Sequence, residues 1–218
     1  ELPECRELKE SSQREIEEML SGPGDWKERR VKELFDEIST AGFYEAAPGI
    51  GAIVEDDRLR LAYFGREITL GRTGFQEEID VMDRLLILMY IRQAGRGELT
   101  GKWTAFREFK DGLIRSESFH DACEMPLAEI FERKQEGLIR RLADLGAEKT
   151  SGFATEYSYI FRALPKLPML VLLWPGDEEI GANCKILLDS TAHVFLDIEA
   201  LLYLGMALVR HIKQDLIR

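Results

Sequence analysis

The chain has 218 residues, 45% of them hydrophobic and 32% charged. That is enough apolar mass for a real core and excludes a disordered chain. Asp and Glu number 40 against 29 Lys and Arg, a formal net charge of -11, which excludes nucleic acid and an anionic membrane as principal partners, because phosphate binding needs clustered Lys and Arg.

At about 150 residues per domain the length predicts one domain with an appendage. The division expected is an N-terminal helical extension over 1–24 and a single α+β domain over 25–218. The opening ELPECRELKE has no apolar run of the kind a signal peptide needs. The longest apolar run is Leu85–Ile91, bounded by Arg84 and Arg92; a membrane span needs about 20 such residues, so this is a buried helix. Cys5, Cys123 and Cys184 form no CxxC pair, so the chain alone is not expected to hold a structural zinc or an iron–sulfur cluster. Dispersed thiols predict a reducing cytoplasm.

In chain order, Ser11 and Ser12 predict a capped helix through Leu20, stopped by Ser21-Gly22-Pro23-Gly24. Asp25 opens a second helix with apolar positions Val31, Leu34, Phe35 and Ile38, closed by Gly42. From Phe43 to Gly71 an antiparallel meander is expected, with strands Ile50–Val54, Leu59–Phe64 and Glu67–Leu70 and turns at Asp56-Asp57 and Gly65-Arg66. Glu77–Ala94 returns to helix. The stretch from Gly95 to Gly112 has no readable period. Pro126–Leu145 is helical, with a kink expected at Gly137. Ala154–Ala163 alternates as a half-exposed strand, and Leu167–Trp174 is apolar on both faces, the mark of a covered strand. Cys184–Leu188 is another strand. Asp197 caps a helix to Lys213, with Gly205 in its apolar stripe allowing close approach. Nine residues, Pro175 to Asn183, separate the two central strands. A parallel crossover needs roughly 10–12 or more, so the pair must be antiparallel and the fold α+β, mainly antiparallel sheet packed by helices.

Gly101-Lys102 imitates the end of a phosphate loop, but Trp103 stands where Ser or Thr must hold magnesium and Arg96 where the leading glycine belongs. His120, Cys123 and Glu124 would make half a metal site if one helical turn carries them, though a loop position is the commoner outcome. His211 near a helix C-terminus has a structural role with the dipole. Ser190 is expected to cap the turn after Asp189. Trp103, Phe106 and Phe109, three apart, read as core. The densest chemistry is Asp177, Glu178 and Glu179, a carboxylate triplet in the loop after a buried strand, suited to Mg²⁺, Ca²⁺ or Mn²⁺. Antiparallel pairing sets Asp189 at the far end of its strand from that triplet, about 15–20 Å away at about 3.4 Å per residue. A solvated acidic turn is the simpler reading of the triplet.

The string LPKLPMLVLLWPGDEEIGANCKILLDSTAHVFLDIEALLYLG, Leu164 to Gly205, resembles the C-terminal signature of a bacterial and archaeal domain-of-unknown-function family found mostly in anaerobes. ELTGKW, Glu98 to Trp103, is similar to an earlier block of that family. The resemblance covers Asp25 to His211. Ile180 and Gly181 depart from the aromatic residue and proline that usually follow the acidic triplet, which implies a more flexible loop. Some relatives carry the domain beside a four-cysteine iron–sulfur module of the type seen in corrinoid methyl-transfer proteins. The resemblance thus implies a setting in redox or one-carbon metabolism, with an iron–sulfur or corrinoid partner protein supplying any cluster.

Three readings follow. The first is a non-catalytic accessory module that binds a ligand or such a partner. The second is a metal-dependent enzyme using Asp177, Glu178 and Glu179. The third is a structural or assembly protein that forms a homo-oligomer; a homodimer would fit the very apolar Leu85–Ile91 helix if the rest of the chain cannot cover it.

Overall fold

The computed structural model describes residues 25–38, 40–177 and 179–216; the extension expected over 1–24, with its capped helix, lies outside the described residues. α1, Asp25–Glu37, turns Val31 and Leu34 inward as its spacing predicts. Gly42 does not end it. It lies inside a second helix, α2, Thr40–Ile50, whose buried Phe43, Ala46, Ala47 and Ile50 keep a helical period through the segment expected to be extended. The first strand therefore starts at Ile53 rather than Ile50.

The meander follows as β1 Ile53–Glu55, β2 Arg58–Tyr63, β3 Arg66–Gly71 and β4 Gly74–Phe75, each antiparallel to its neighbour. Asp56 and Asp57 make the first turn, with φ of 49° and 58°, the left-handed pair that a two-residue hairpin demands. The second turn falls one residue earlier than expected, on Phe64-Gly65, with Phe64 itself at φ 44°. Tertiary contacts pull it there. The Phe64 ring packs 4.8 Å from that of His211 and 5.9 Å from that of Phe161. Its N–H donates to Ala163 O at 2.9 Å, tying the small sheet to the large one.

α3, Val81–Gln93, is capped by Asp80, whose carboxylate accepts Met82 N–H at 2.8 Å. Leu85, Leu86, Ile87, Leu88, Tyr90 and Ile91 are all buried within this one chain. The apolar run is thus largely covered by this chain itself, with Val81, Met82 and Met89 partly exposed.

The large sheet is β5 Trp103–Ala105, β6 Glu148–Thr150, β7 Tyr157–Leu164, β8 Leu167–Trp174 and β9 Asn183–Asp189, in the order β5-β9-β8-β7-β6 with every pair antiparallel. β8 and β9 pair from Met169–Leu188 to Trp174–Asn183, as the short connection requires. β8 is buried from Leu167 through Leu173. The fold is α+β with two antiparallel sheets.

Between β5 and β6 run α4, Ser116–Phe119, a π-helical turn, His120–Glu124, and α5, Met125–Asp144. α5 kinks at Lys134, φ -144° and ψ 52°, not at Gly137. Gly137 instead lets the last helix approach: a Cβ there would sit 2.9 Å from Leu216 Cδ2. α6, Ala192–Phe195, and α7, Ile198–Leu216, complete the chain. Asp197 caps α7 as expected, accepting Ala200 N–H at 2.8 Å. Gly205 does give a close approach, since a Cβ would lie 2.7 Å from Cys123 Sγ and 2.9 Å from Phe119 Cε2. Among the described residues no helix is long and apolar enough to cross a membrane.

Candidate functional site

Asp177 and Glu179 lie where the hairpin arithmetic puts them, exposed between β8 and β9. Asp177 is tied up locally: Oδ1 accepts the Glu179 N–H at 2.9 Å and the Ile180 N–H at 2.8 Å. Asp177 N–H in turn donates to Ile180 O at 2.8 Å. The two amides hold the carboxyl below its ordinary value. Glu179 is exposed, and Glu178 lies outside the described residues. Among the described residues no three His, Cys, Asp or Glu side chains are grouped to hold a metal ion.

At the other end of β9 sits Asp189, 1% exposed, and here the two blocks that carry the family resemblance meet. Oδ2 accepts Gly101 N–H at 2.7 Å. Oδ1 takes Thr100 N–H at 3.3 Å, Thr100 Oγ1 at 3.0 Å, Thr191 N–H at 3.0 Å and Thr191 Oγ1 at 2.7 Å. Burial alone would raise this carboxyl; the Thr191, Thr100 and Gly101 donors outweigh it and the net shift is downward. The loop that imitates a phosphate loop does cradle an anion, and that anion is the protein's own aspartate. Ser190 does not cap α6. Its Oγ lies 2.7 Å from Thr100 Oγ1, and since the Thr100 proton is directed at Asp189, Ser190 donates. Ser190 N–H also donates to Lys102 O at 2.8 Å. His193 Nδ1 is 3.0 Å from Ser190 O; a carbonyl only accepts, so Nδ1 carries the proton.

A second polar cluster forms where the π-turn meets β9. Glu124 accepts Lys185 Nζ at 2.6 Å and Ile186 N–H at 3.1 Å, and His120 Nδ1 lies 3.0 Å from Oε2. The carboxylate is inside while the side chains of His120 and Lys185 are each 44% exposed. Cys123 points the other way, its Sγ 3.8 Å from Leu202 O at the Gly205 notch. His120 and Cys123 therefore do not converge, and half a metal site is not formed: the turn directs one outward and packs the other on α7. Burial raises the thiols of both Cys123 and Cys184, which keeps them protonated and unreactive.

His211 is not at a helix end. α7 continues past it, and its Nε2 lies 3.1 Å from Asp83 Oδ2, close but off the line of a hydrogen bond. Asp83, 2% exposed, also accepts Tyr63 Oη at 2.5 Å and the Arg210 guanidinium. Burial pushes this carboxyl up, but His211, Arg210 and Tyr63 more than offset it and hold it below the ordinary range. Tyr63 is driven well up, by burial first and then by the Asp83 charge. The sequence signals none of this cluster, because Tyr63, Asp83 and Arg210 are joined only by the packing of β2, α3 and α7.

An open groove of about 700 Å³ runs between α1 and the β3–β4 hairpin, lined by the apolar Val31, Phe35, Phe75 and Ile79 and the charged Glu28 and Arg84 among others. Comparison with curated proteins and with solved structures returns no match. A family model matches residues 42–211. It ends at His211 as the resemblance implies but starts after α1, which leaves half the groove outside it and both the Asp189 and Glu124 clusters within it. On that match the chain belongs to the family described as Domain of unknown function (DUF3786).

Proposed function

We propose that this chain is a non-catalytic accessory module that binds a partner protein of redox or one-carbon metabolism, an iron–sulfur or corrinoid protein being the partner the resemblance implies. The observation that carries the reading is how the reactive groups are spent. Asp189 is saturated by backbone amides and threonine hydroxyls. Asp83 is engaged by Tyr63 and Arg210, and both described thiols are buried. A free base or nucleophile recruited from these would have to be stripped from contacts that hold the fold, whereas a rigid loop surface at the junction of the two family blocks suits recognition.

Metal-dependent use of Asp177, Glu178 and Glu179 is the competing proposal. It is weaker because Asp177 Oδ1 is already committed to two amides.

The test is capture by the full chain from an extract of its native host, anaerobically and at low salt. Recovery of an iron–sulfur or corrinoid protein is the expected result, and recovery of no metabolic protein overturns the reading. Calorimetric titration with Mg²⁺ and Mn²⁺ separates the competitor. A saturable heat that disappears in Asp177→Asn with Glu179→Gln would favour the metal reading instead.

A further inference from the structure

The chain is acidic overall, yet the stretch from Arg92 to Lys110 carries Arg92, Arg96, Lys102, Arg107 and Lys110 against only Glu98 and Glu108. In the small sheet two arginines are matched, Arg60 with Glu55 and Glu67 and Arg72 with Asp57, while Arg58 and Arg66 stand apart at opposite ends of the β2–β3 ladder. The loop cations fall within one stretch of chain. Arg96, Lys102 and Lys110 are exposed and have no ion pair among the described residues. Of the acids nearby, Glu98 is occupied by Lys166 Nζ at 3.4 Å and Glu108 by the Ala105 N–H at 2.9 Å; the exposed Asp111 follows Lys110 and leaves the stretch from Arg92 to Asp111 with five cations against three acids.

The backbone gathers these cations around one turn, Ser190–Val194. Ser190 N–H bonds Lys102 O. Gly95, next to Arg96, packs so tightly on this turn that a Cβ would lie 2.4 Å from Val194 O. The Gln93 amide donates to His193 O at 3.3 Å and Val194 O at 3.1 Å. Phe109, next to Lys110, lies 5.9 Å ring to ring from His193. Two segments remote in sequence, the Arg92–Lys110 stretch and the Ser190–Val194 turn, are thus held together at these points, and Arg96, Lys102 and Lys110 are left exposed.

We infer that this loop face, Arg96, Lys102 and Lys110 around Ser190–Val194, is the docking surface of the module and that its occupant is an acidic protein surface. The inference rests on the reading above that the chain binds a partner, and adds where and by what chemistry. Charge complementarity argues for the occupant. A small phosphate ligand is disfavoured, because the Thr100 and Gly101 amides that would cradle it are spent on Asp189. What remains are long cationic side chains spread around a turn, suited to distributed carboxylates.

The test follows backbone amide shifts of the isotopically labelled full chain on addition of a short poly-L-glutamate peptide, with tripolyphosphate as the second probe. The expected result is a set of peptide-induced shifts centred on Arg96, Lys102, Lys110 and Ser190–Val194 that fades as salt rises above about 0.15 M and is lost in Arg96→Glu with Lys102→Glu and Lys110→Glu. These positions are exposed, so an unchanged thermal midpoint is expected to accompany that loss. Shifts that map elsewhere, or that survive the triple reversal, overturn the inference. So does binding of tripolyphosphate without the peptide. In the capture experiment, equal recovery of the partner by wild type and reversed chain defeats this surface but leaves the accessory reading standing. Recovery of no partner by either defeats that reading, while the peptide shifts still judge the surface.

Discussion

Two buried aspartates hold this molecule together in different ways. Asp83 is satisfied by side chains that are themselves charged or titratable, Tyr63 and Arg210, with His211 close beside it, drawn from β2 and α7. Asp189 is satisfied by neutral donors, amides and threonine hydroxyls of two loops, with Gly101 88 positions away in sequence. The first clasp joins the small sheet and α3 to the last helix, so it bears on the whole fold. The second shapes one surface. Charge-paired burial is costly to break because the partner charge stays behind, whereas hydroxyls and amides near the surface turn to water.

That contrast can be broken by mutation. Asp83→Ala takes from Arg210 and Tyr63 their buried partner and leaves Arg210 only Asp80, at 3.7 Å, and a loss of about 3 kcal/mol is expected in chemical denaturation. Alkylation of Cys123 and Cys184, which burial and raised thiol values suppress in the native chain, should accelerate in the same variant, as read by mass spectrometry, because both thiols become reachable through global opening. Gly95→Ala drives a Cβ to 2.4 Å from the Val194 carbonyl oxygen. A cost of about 2 kcal/mol is expected, since backbone rather than a side-chain tip must move. Asp189→Ala should cost less, about 1–2 kcal/mol, because Thr100 and Gly101 are exposed and water replaces the carboxylate. Its signature is local: amide exchange at Thr100, Gly101 and Thr191 quickens while that of β8 does not. A fall in β8 protection equal to that of the loop would erase the distinction between the clasps.

Acid sharpens the comparison further. Both carboxyls have folded values held below the ordinary one of about 3.9. Each therefore contributes stability that is fully present above the unfolded value and is lost as pH falls through the folded value. The stability gap between wild type and Asp83→Asn should close as pH drops into that window and stay constant at neutral pH. The smallest effect belongs to Asp177→Asn. The side chain is solvent-exposed, so no change in the unfolding midpoint is expected, only faster exchange at Glu179 and Ile180.

The large sheet was legible because its strands obey local rules. An apolar run on both faces identifies β8, and nine intervening residues force β9 to run against it. β5 and β6 were not legible. Each is three residues long and has no period to show; they are strands because a longer neighbour pairs with them. α2 is illegible for a related reason: Ala, Gly and Pro between Phe43 and Ile50 weaken its helical signature, and the burial of Phe43, Ala46, Ala47 and Ile50 overrides that weakness. At the site, Trp103 and Arg96 depart from a phosphate loop at Gly101-Lys102, yet no local rule reveals that the Thr100 and Gly101 amides bind Asp189.

By itself the sequence determined the α+β class, the antiparallel pairing of the central strands, the burial of the Leu85–Ile91 helix and the exposed acidic hairpin, since each depends on periodicity or chain length between neighbours. The tertiary structure alone decided which charges meet. Asp83 finds Arg210, Glu124 finds Lys185 and Asp189 finds Thr100 and Gly101. A salt bridge or hydrogen bond acts over a few ångströms and leaves no trace in the spacing of residues sixty to more than a hundred positions apart.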